Sequence, residues 1–369
     1  MQPKPIIGIV GSAGAYGRWL RRFFETRMGL QVLGSDPADA QSLAPEALIE
    51  RADVLMFSAP IRQTPQLIEQ YAQLAAGRER GKLWLDVTSI KGEPVAALLR
   101  SQAEVVGLHP MTAPPKSPTL KGRVMVVCEA RLHDWCDWLQ TLCSALEAQC
   151  VPATPEHHDR VMALVQAMVH ATHLAQAGVL REYVPALGGL DELLPFRSAS
   201  FEMDGATIAR ILSLNPAIYE DIQFNNPHAG PVLDALLRQF TELRALVGQG
   251  DDAARARFRS DFFDANRAAL GERALMDGNY NYERLGYLLA DLSDPHTLSI
   301  HLPEDRPGSL RRLLHVFESH GVSIASLHSS RTQAGELHFR LGFDSGTDAA
   351  ALAAAATEVG NSGIGRVLG

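Results

Sequence analysis

Residues 107–115 read GLHPMTAPP, so His109 closes an apolar run, AEVVGL, and is followed at once by proline. Proline drives the residue before it into extended backbone, which gives an imidazole at that position a defined direction. Imidazole changes charge near neutral pH, and a histidine held at the mouth of a cleft has the chemistry of a general acid or base. A surface or structural histidine is the competing reading. Ser58 and Pro60 in FSAPIRQT, and Thr88, Ser89 and Lys91 in LDVTSIKGEP, likewise follow short apolar runs.

A second constellation lies at the start of the chain. Gly11-Ser12-Ala13-Gly14-Ala15-Tyr16-Gly17 follows the apolar run Ile6 to Val10 and opens a helical pattern with Trp19, Leu20, Phe23 and Phe24. Glycines between a strand and a helix allow a tight turn and close backbone approach to a pyrophosphate. In strict GxGxxG register Ser12 takes the first glycine's place, Gly14 and Gly17 the second and third, and Gly11 partly compensates. Asp36 ends VLGSD, where an acid accepts hydrogen bonds from ribose hydroxyls and repels a 2′-phosphate, which favours NAD over NADP. The candidate cofactor contacts are Gly11, Ser12, Gly14, Ala15, Tyr16, Gly17, Asp36, Ser58 and Pro60, and no metal is expected.

These residues need strands to carry them to one edge. LQVLGSD, DVLMFSAP, KLWLDVT, AEVVGLH and RVMVVCE are short apolar runs separated by helical or loop sequence, the pattern of a parallel sheet covered on both faces. Loops at strand C-termini of such a doubly wound sheet line the ligand crevice. Residues 1–152 are therefore expected to form an α/β Rossmann-like domain. Thr154 and Pro155 then begin helical patterns over residues 153–292, at about 154–183, 198–214, 216–224, 229–248 and 251–290. An all-helical second domain with this many apolar faces suggests a homodimer. After DLSDPH the period returns to two, and residues 293–369 read as an α+β βαββα domain with one further strand.

Composition limits the partners. The chain has 369 residues, 46% of them hydrophobic, and a net charge of −8. That charge argues against nucleic acid, which requires a basic face, but leaves room for a small anion held by a few cations. MQPKPIIGIV has no signal-peptide layout and no long apolar run occurs, so a cytoplasmic protein without membrane contact is expected. Cys136, Cys143 and Cys150 recur every seven residues and read as ordinary apolar positions, with a disulfide or metal cluster as the weaker reading.

Four strings in order, DVTSIK, GLHPM, EHHDRVMALVQAMVH and IARILSLNPAIYEDI, resemble the prephenate dehydrogenases of tyrosine biosynthesis. The resemblance spans residues 5 to about 290 and is nearest to the form fused to chorismate mutase. No mutase helix precedes the first strand, so no mutase activity is expected. The resemblance implies NAD-dependent oxidative decarboxylation of prephenate to 4-hydroxyphenylpyruvate. It makes His109 the catalytic base and Ser89 a neighbour of both base and substrate. Arg210 becomes the ligand of the ring carboxylate and His170 a substrate-site residue, while His158 and Asp159 match a His-Asp pair of the family. Lys91 is a further candidate substrate contact, and Lys116 and Lys121 are alternatives to it. The loop MTAPPKSP departs from the family, as does Ser12.

The tail HLPEDRPGSLRRLLHVFESHGVSIASLHSSR resembles an ACT domain, an amino-acid-sensing module. Asp305, Pro307 and Gly308 at its first strand–helix junction are the candidate regulatory residues, with tyrosine or phenylalanine as effector. Arogenate dehydrogenase is the neighbouring alternative. A reductase of related architecture, and a non-catalytic sensor of nucleotide and amino acid, are the more distant ones.

Overall fold

The computed structural model describes residues 4–115, 117–293, 296–303, 306–331 and 337–368. Backbone contacts divide the chain into two compact units, Met1–Gly248 and Gln249–Gly369.

The first unit is built on a seven-stranded sheet. Its strands are β1 (Ile7–Val10), β2 (Val32–Ser35), β3 (Val54–Phe57), β4 (Leu83–Asp86), β5 (Glu104–Pro110), β6 (Val124–Arg131) and β7 (Gln149–Pro152), in the order β2-β1-β3-β4-β5-β6-β7. The first five are parallel. IGIV, VLMF and LWLD are buried at every residue, as strands covered on both faces must be. Five helices supply the cover: α1 (Ala15–Thr26), α2 (Pro45–Arg51), α3 (Thr64–Ala75), α4 (Gly92–Leu98) and α5 (Cys136–Leu146). On one face Trp19, Phe23 and Phe24 of α1 join Ile7, Ile9 and Met56; on the other Ile68, Tyr71 and Leu98 join Leu55, Phe57 and Trp84.

The sheet departs from the expected all-parallel pattern at β6, which runs antiparallel to β5 with a bulge between Val105 and Val106. A parallel return needs a crossover, commonly a helix, and the described part of 111–123 contains none. β7, not expected from sequence, adds a short exposed parallel edge to β6.

Six helices complete this unit: α6 (Pro155–Met162), α7 (Val169–Tyr183), α8 (Leu190–Leu193), α9 (Ala199–Ser213), α10 (Pro216–Asn225) and α11 (Ala229–Gln249). Thr154 caps α6 by accepting the His157 amide, and Pro155 fills its first turn, as the sequence predicts. A wide π turn, Ala163–Met168, joins α6 to α7. These helices are bound tightly to the sheet domain. Asp221 accepts the Arg62 amide at 3.3 Å, and Ile61 and Ile90 pack with Ala167, Ile222 and Ala229.

In the second unit, the helical stretch expected over 251–290 is divided. α12 (Asp252–Arg257) runs through a π turn, Phe258–Asp264, into α13 (Ala265–Leu270), and Gly271 at φ +83° separates that helix from α14 (Glu272–Ser293). α14 exposes Leu275, Met276, Tyr280, Leu285 and Tyr287. The remainder is a four-stranded antiparallel sheet, β8 (Thr297–Leu302), β9 (Ser326–Arg331), β10 (Leu337–Gly342) and β11 (Arg366–Leu368), in the order β11-β8-β10-β9. α15 (Ser309–Ser319) and α16 (Ala349–Asn361) cover it through Leu313, Phe317, Ala355 and Val359. β11 is the further strand anticipated for this domain. Among the described residues no helix is long and apolar enough to cross a membrane.

Candidate active site

β5 carries His109 to the C-terminal edge of the sheet, where its side chain is 2% exposed. His109 Nδ1 lies 2.8 Å from His158 Nε2, and His158 Nδ1 lies 2.8 Å from Asp159 Oδ1. Asp159 also accepts two backbone amides, Lys91 N on Oδ1 and Gly92 N on Oδ2, both at 2.8 Å. Burial raises the Asp159 carboxyl, but the hydrogen bonds from His158 and those amides outweigh it and bring it below its usual value. Asp159 is therefore an acceptor only, which fixes the protons along the chain. His158 must donate from Nδ1 and accept at Nε2. His109 must then donate from Nδ1, and its Nε2 is left with a lone pair. Burial, with His158 and Lys91 adding to it, holds His109 well below 6.5, so the ring is a neutral base at neutral pH.

Lys91, expected to contact the substrate, does not reach the crevice. Its side chain is fully buried, and its ammonium is held by the Asp86 carboxylate and, at 2.8 Å, by the Leu108 carbonyl. An ammonium in that position must be paired, and Asp86, also fully buried, supplies the partner. Asp86 takes the Thr88 amide at 3.0 Å on the same oxygen, while its Oδ2 has no partner. Lys91 thus anchors the segment behind His109. Ser89, half-buried in that loop, makes no hydrogen bond with His109, whose Nδ1 is taken by His158. Lys116 lies outside the described residues.

The glycine turn faces the loop after β3. Gly11 adopts φ +84°, and a Cβ there would stand 2.5 Å from the Ser58 carbonyl oxygen. A Cβ on Gly17 would stand 2.2 Å from the Gly11 oxygen, so α1 packs on the turn only because both residues lack side chains. Gly14 begins α1 in extended conformation. The conformation-demanding first glycine is therefore Gly11 rather than position 12. Ser12 is buried against Gly34 of β2, with its hydroxyl unpartnered. Asp36 Oδ2 accepts the Ala13 amide at 3.0 Å, which brings the acid at the end of β2 to this turn. Ala15 and Tyr16 form the first turn of α1; the Tyr16 hydroxyl is enclosed and burial raises its pKa. Pro60 precedes the short turn Ile61–Gln63. The open amide turn, the absent Cβ atoms and the adjacent acid suit a dinucleotide.

On the helical side, Gln166 Nε2 lies 3.4 Å from His109 Nε2. One helical turn beyond, the His170 ring packs edge-on against Tyr219 with centroids 4.8 Å apart, and its enclosed Nδ1 has no partner. Burial, with a smaller contribution from His173, lowers His170. Arg210, exposed on α9, is close enough to Tyr219 to act on its hydroxyl electrostatically. Its guanidinium has no ion pair among the described residues, and Asp204, an acid on the same helix, pairs with His173 at 3.3 Å. Tyr219 is thus the neighbour that His170 and Arg210 share, and a guanidinium without an ion pair suits an anion.

In the C-terminal sheet domain Gly308 takes φ +91° at the start of α15 and borders a groove of about 630 Å³ with Arg311, Arg312 and His315. Pro307 is exposed beside it, and Asp305 lies outside the described residues.

Gln166, Asp86 and Tyr219 were not singled out as site residues from sequence. Asp86 stands five residues before Lys91 in a motif already noted, and a buried lysine calls for such a partner. Gln166 carries no such signal, because the π turn that aims it is not written in any periodicity.

Comparison with known proteins shows the family. Residues 38–151 match the model of the prephenate dehydrogenase nucleotide-binding domain, 154–259 that of the prephenate dehydrogenase dimerization domain, and 296–355 that of the ACT domain. A 4-amino-4-deoxyprephenate dehydrogenase of Streptomyces pristinaespiralis is 31% identical over 72% of this chain and 90% of its own length. A probable arogenate/prephenate dehydrogenase of Methanocaldococcus jannaschii is 26% identical over 66% of this chain, and the T-protein of Enterobacter agglomerans 29% over 68%. The chain spans only 57% and 64% of the lengths of those two relatives. Prephenate dehydrogenase from Aquifex aeolicus, solved with hydroxyphenyl propionate and NAD+, shares the fold with a TM-score of 0.57 at 16% identity, over 73% of this chain and 99% of that one.

Proposed function

The chain belongs to the prephenate dehydrogenase family, and on that basis we propose that it oxidises prephenate with NAD, releasing the ring carboxylate as carbon dioxide. The observation that carries this reading is the His109–His158–Asp159 chain, which presents the lone pair of a neutral imidazole at the same C-terminal sheet edge as the glycine turn.

Gly11, Gly14, Gly17 and Asp36 would hold the dinucleotide. NAD bound there supplies the acceptor for the hydride leaving the carbinol carbon. His109 Nε2 takes the proton of the ring hydroxyl, and the growing imidazolium is stabilised through His158 by the Asp159 carboxylate. Arg210 holds the ring carboxylate until its carbon–carbon bond breaks. The electron pair of that bond completes the aromatic ring, and His109 returns the proton to the phenolic oxygen. A positioned base of this kind contributes about 10²- to 10⁴-fold.

Prephenate rather than arogenate is the assigned substrate, on the resemblance of the four strings quoted from the sequence. We assign amino-acid feedback, by tyrosine or phenylalanine, to the ACT domain near Gly308, and a homodimer to the apolar helical surfaces. Among these is a groove of about 650 Å³ bordered by Ala175, Val179, Ile208, Leu233 and Phe240. The test is NADH formation from NAD+ with prephenate and then with arogenate, each with and without tyrosine. Faster turnover of arogenate would transfer the assignment, and indifference to both amino acids would remove the feedback role.

A further inference from the structure

We propose that Gln166 orients the ring substituent that reacts at His109, a role that rests on the dehydrogenase reading. Gln166 is the one polar side chain of the π turn ALVQAM, and Leu164 and Val165 beside it are half exposed. Its Nε2 lies 3.4 Å from His109 Nε2, the nitrogen that the His158–Asp159 chain leaves unprotonated. The amide therefore directs an N–H toward the base, at a distance too long for a strong hydrogen bond. Its carbonyl oxygen is enclosed and has no partner. Donors beside the base, with an acceptor that the chain does not satisfy, make a polar site awaiting a ligand group.

A ring hydroxyl arriving at His109 has one proton and two lone pairs. The proton is directed at His109 Nε2, and a lone pair can take an N–H of Gln166. That second bond turns the O–H toward the imidazole and strengthens as charge grows on the oxygen during proton transfer. No apolar residue at position 166 could supply it.

The test is calorimetric binding of 3-(4-hydroxyphenyl)propionate and of 3-phenylpropionate, which lacks the hydroxyl, to the full chain with NAD+ present. The wild type should prefer the hydroxylated compound by about tenfold, on the order of one added hydrogen bond. Gln166→Leu should lower that ratio by about threefold or more, the bond to His109 remaining, while leaving phenylpropionate affinity within roughly twofold. Gln166→Glu keeps the shape and removes the donor. It should also lower that ratio, and its carboxylate should move the acidic limb of kcat/KM to higher pH by stabilising the imidazolium. Retention of the wild-type ratio in both variants would overturn the role of Gln166 alone. Failure of the wild type to bind either compound, together with absence of NADH formation, would overturn the reading beneath it as well.

Discussion

The ring nitrogens His109 Nδ1 and His158 Nε2 lie 2.8 Å apart, both side chains are almost fully buried, and the chain ends on a carboxylate that also accepts two backbone amides. That arrangement leaves only one place for each proton. It makes the outer nitrogen of His109 a base before any ligand arrives.

Asp159→Asn tests the far end of this chain. An asparagine offers one acceptor and one donor where three N–H groups now point, so one amide is left facing an NH2 group. Each charge-assisted bond lost costs about 1.5–3 kcal/mol, and the variant should be less stable by that order in urea titration. Turnover should fall at least tenfold, because His109 no longer has a fixed tautomer. Unchanged stability and turnover would show that Asp159 does not set the proton positions.

Stability should fall on mild acidification. Burial lowers His109, His158 and His170, in each case below the ordinary 6.5. Unfolded, these rings take up protons near pH 6.5, whereas folded they resist until lower pH, so the unfolded chain binds more protons there. The stability they contribute is complete above about pH 6.5 and is lost as pH falls toward the folded values. Urea midpoints between about pH 7.5 and 5.5 should decline, and His109→Asn should make the decline shallower. A flat profile in the wild type would contradict the burial of neutral imidazoles.

Arg210→Gln should act on binding alone. The guanidinium has no ion pair among the described residues, so its removal should leave the melting temperature within about 2 °C. Loss of a charge-assisted pair worth about 1.5–3 kcal/mol should raise KM for prephenate by roughly 10- to 100-fold. An unchanged KM would place the carboxylate elsewhere.

Gly11→Ala should damage the nucleotide site. The new Cβ would meet the Ser58 oxygen at 2.5 Å, and φ +84° is strained for any side chain. Backbone strain of this kind costs on the order of 1–3 kcal/mol. NAD affinity should fall at least tenfold, whereas Ser12→Gly, which removes a side chain seated against Gly34, should retain binding. Equal affinities in the two variants would return the first-glycine role to position 12.

Much of this was legible beforehand because it rests on local pattern. Fully apolar four-residue runs specify strands covered on both faces, and Thr154-Pro155 marks a helix start that the structure places there. His109 and Asp36 stand out because each ends an apolar run at the sheet edge. What could not be read depends on long-range placement. Lys91 looked like a free cation, and only the fold reveals that Asp86 and the Leu108 carbonyl enclose its ammonium. On an ideal α-helix His158 and His170 fall on different stripes, but the π turn Ala163–Met168 widens the spiral and shifts the phase of every later residue. Gln166 lies within that turn, where it meets His109. The antiparallel β6 was hidden for a similar reason, since an apolar run does not state its direction.

The role of His109 as the base is tested by NADH formation from NAD+ and prephenate by the purified wild-type chain and by His109→Asn, with NAD affinity measured in parallel. The wild type should form NADH rapidly, the variant should lose about 10²-fold or more, and NAD affinity should be the same in both. Comparable rates in the two proteins would contradict the assignment of His109 as the base.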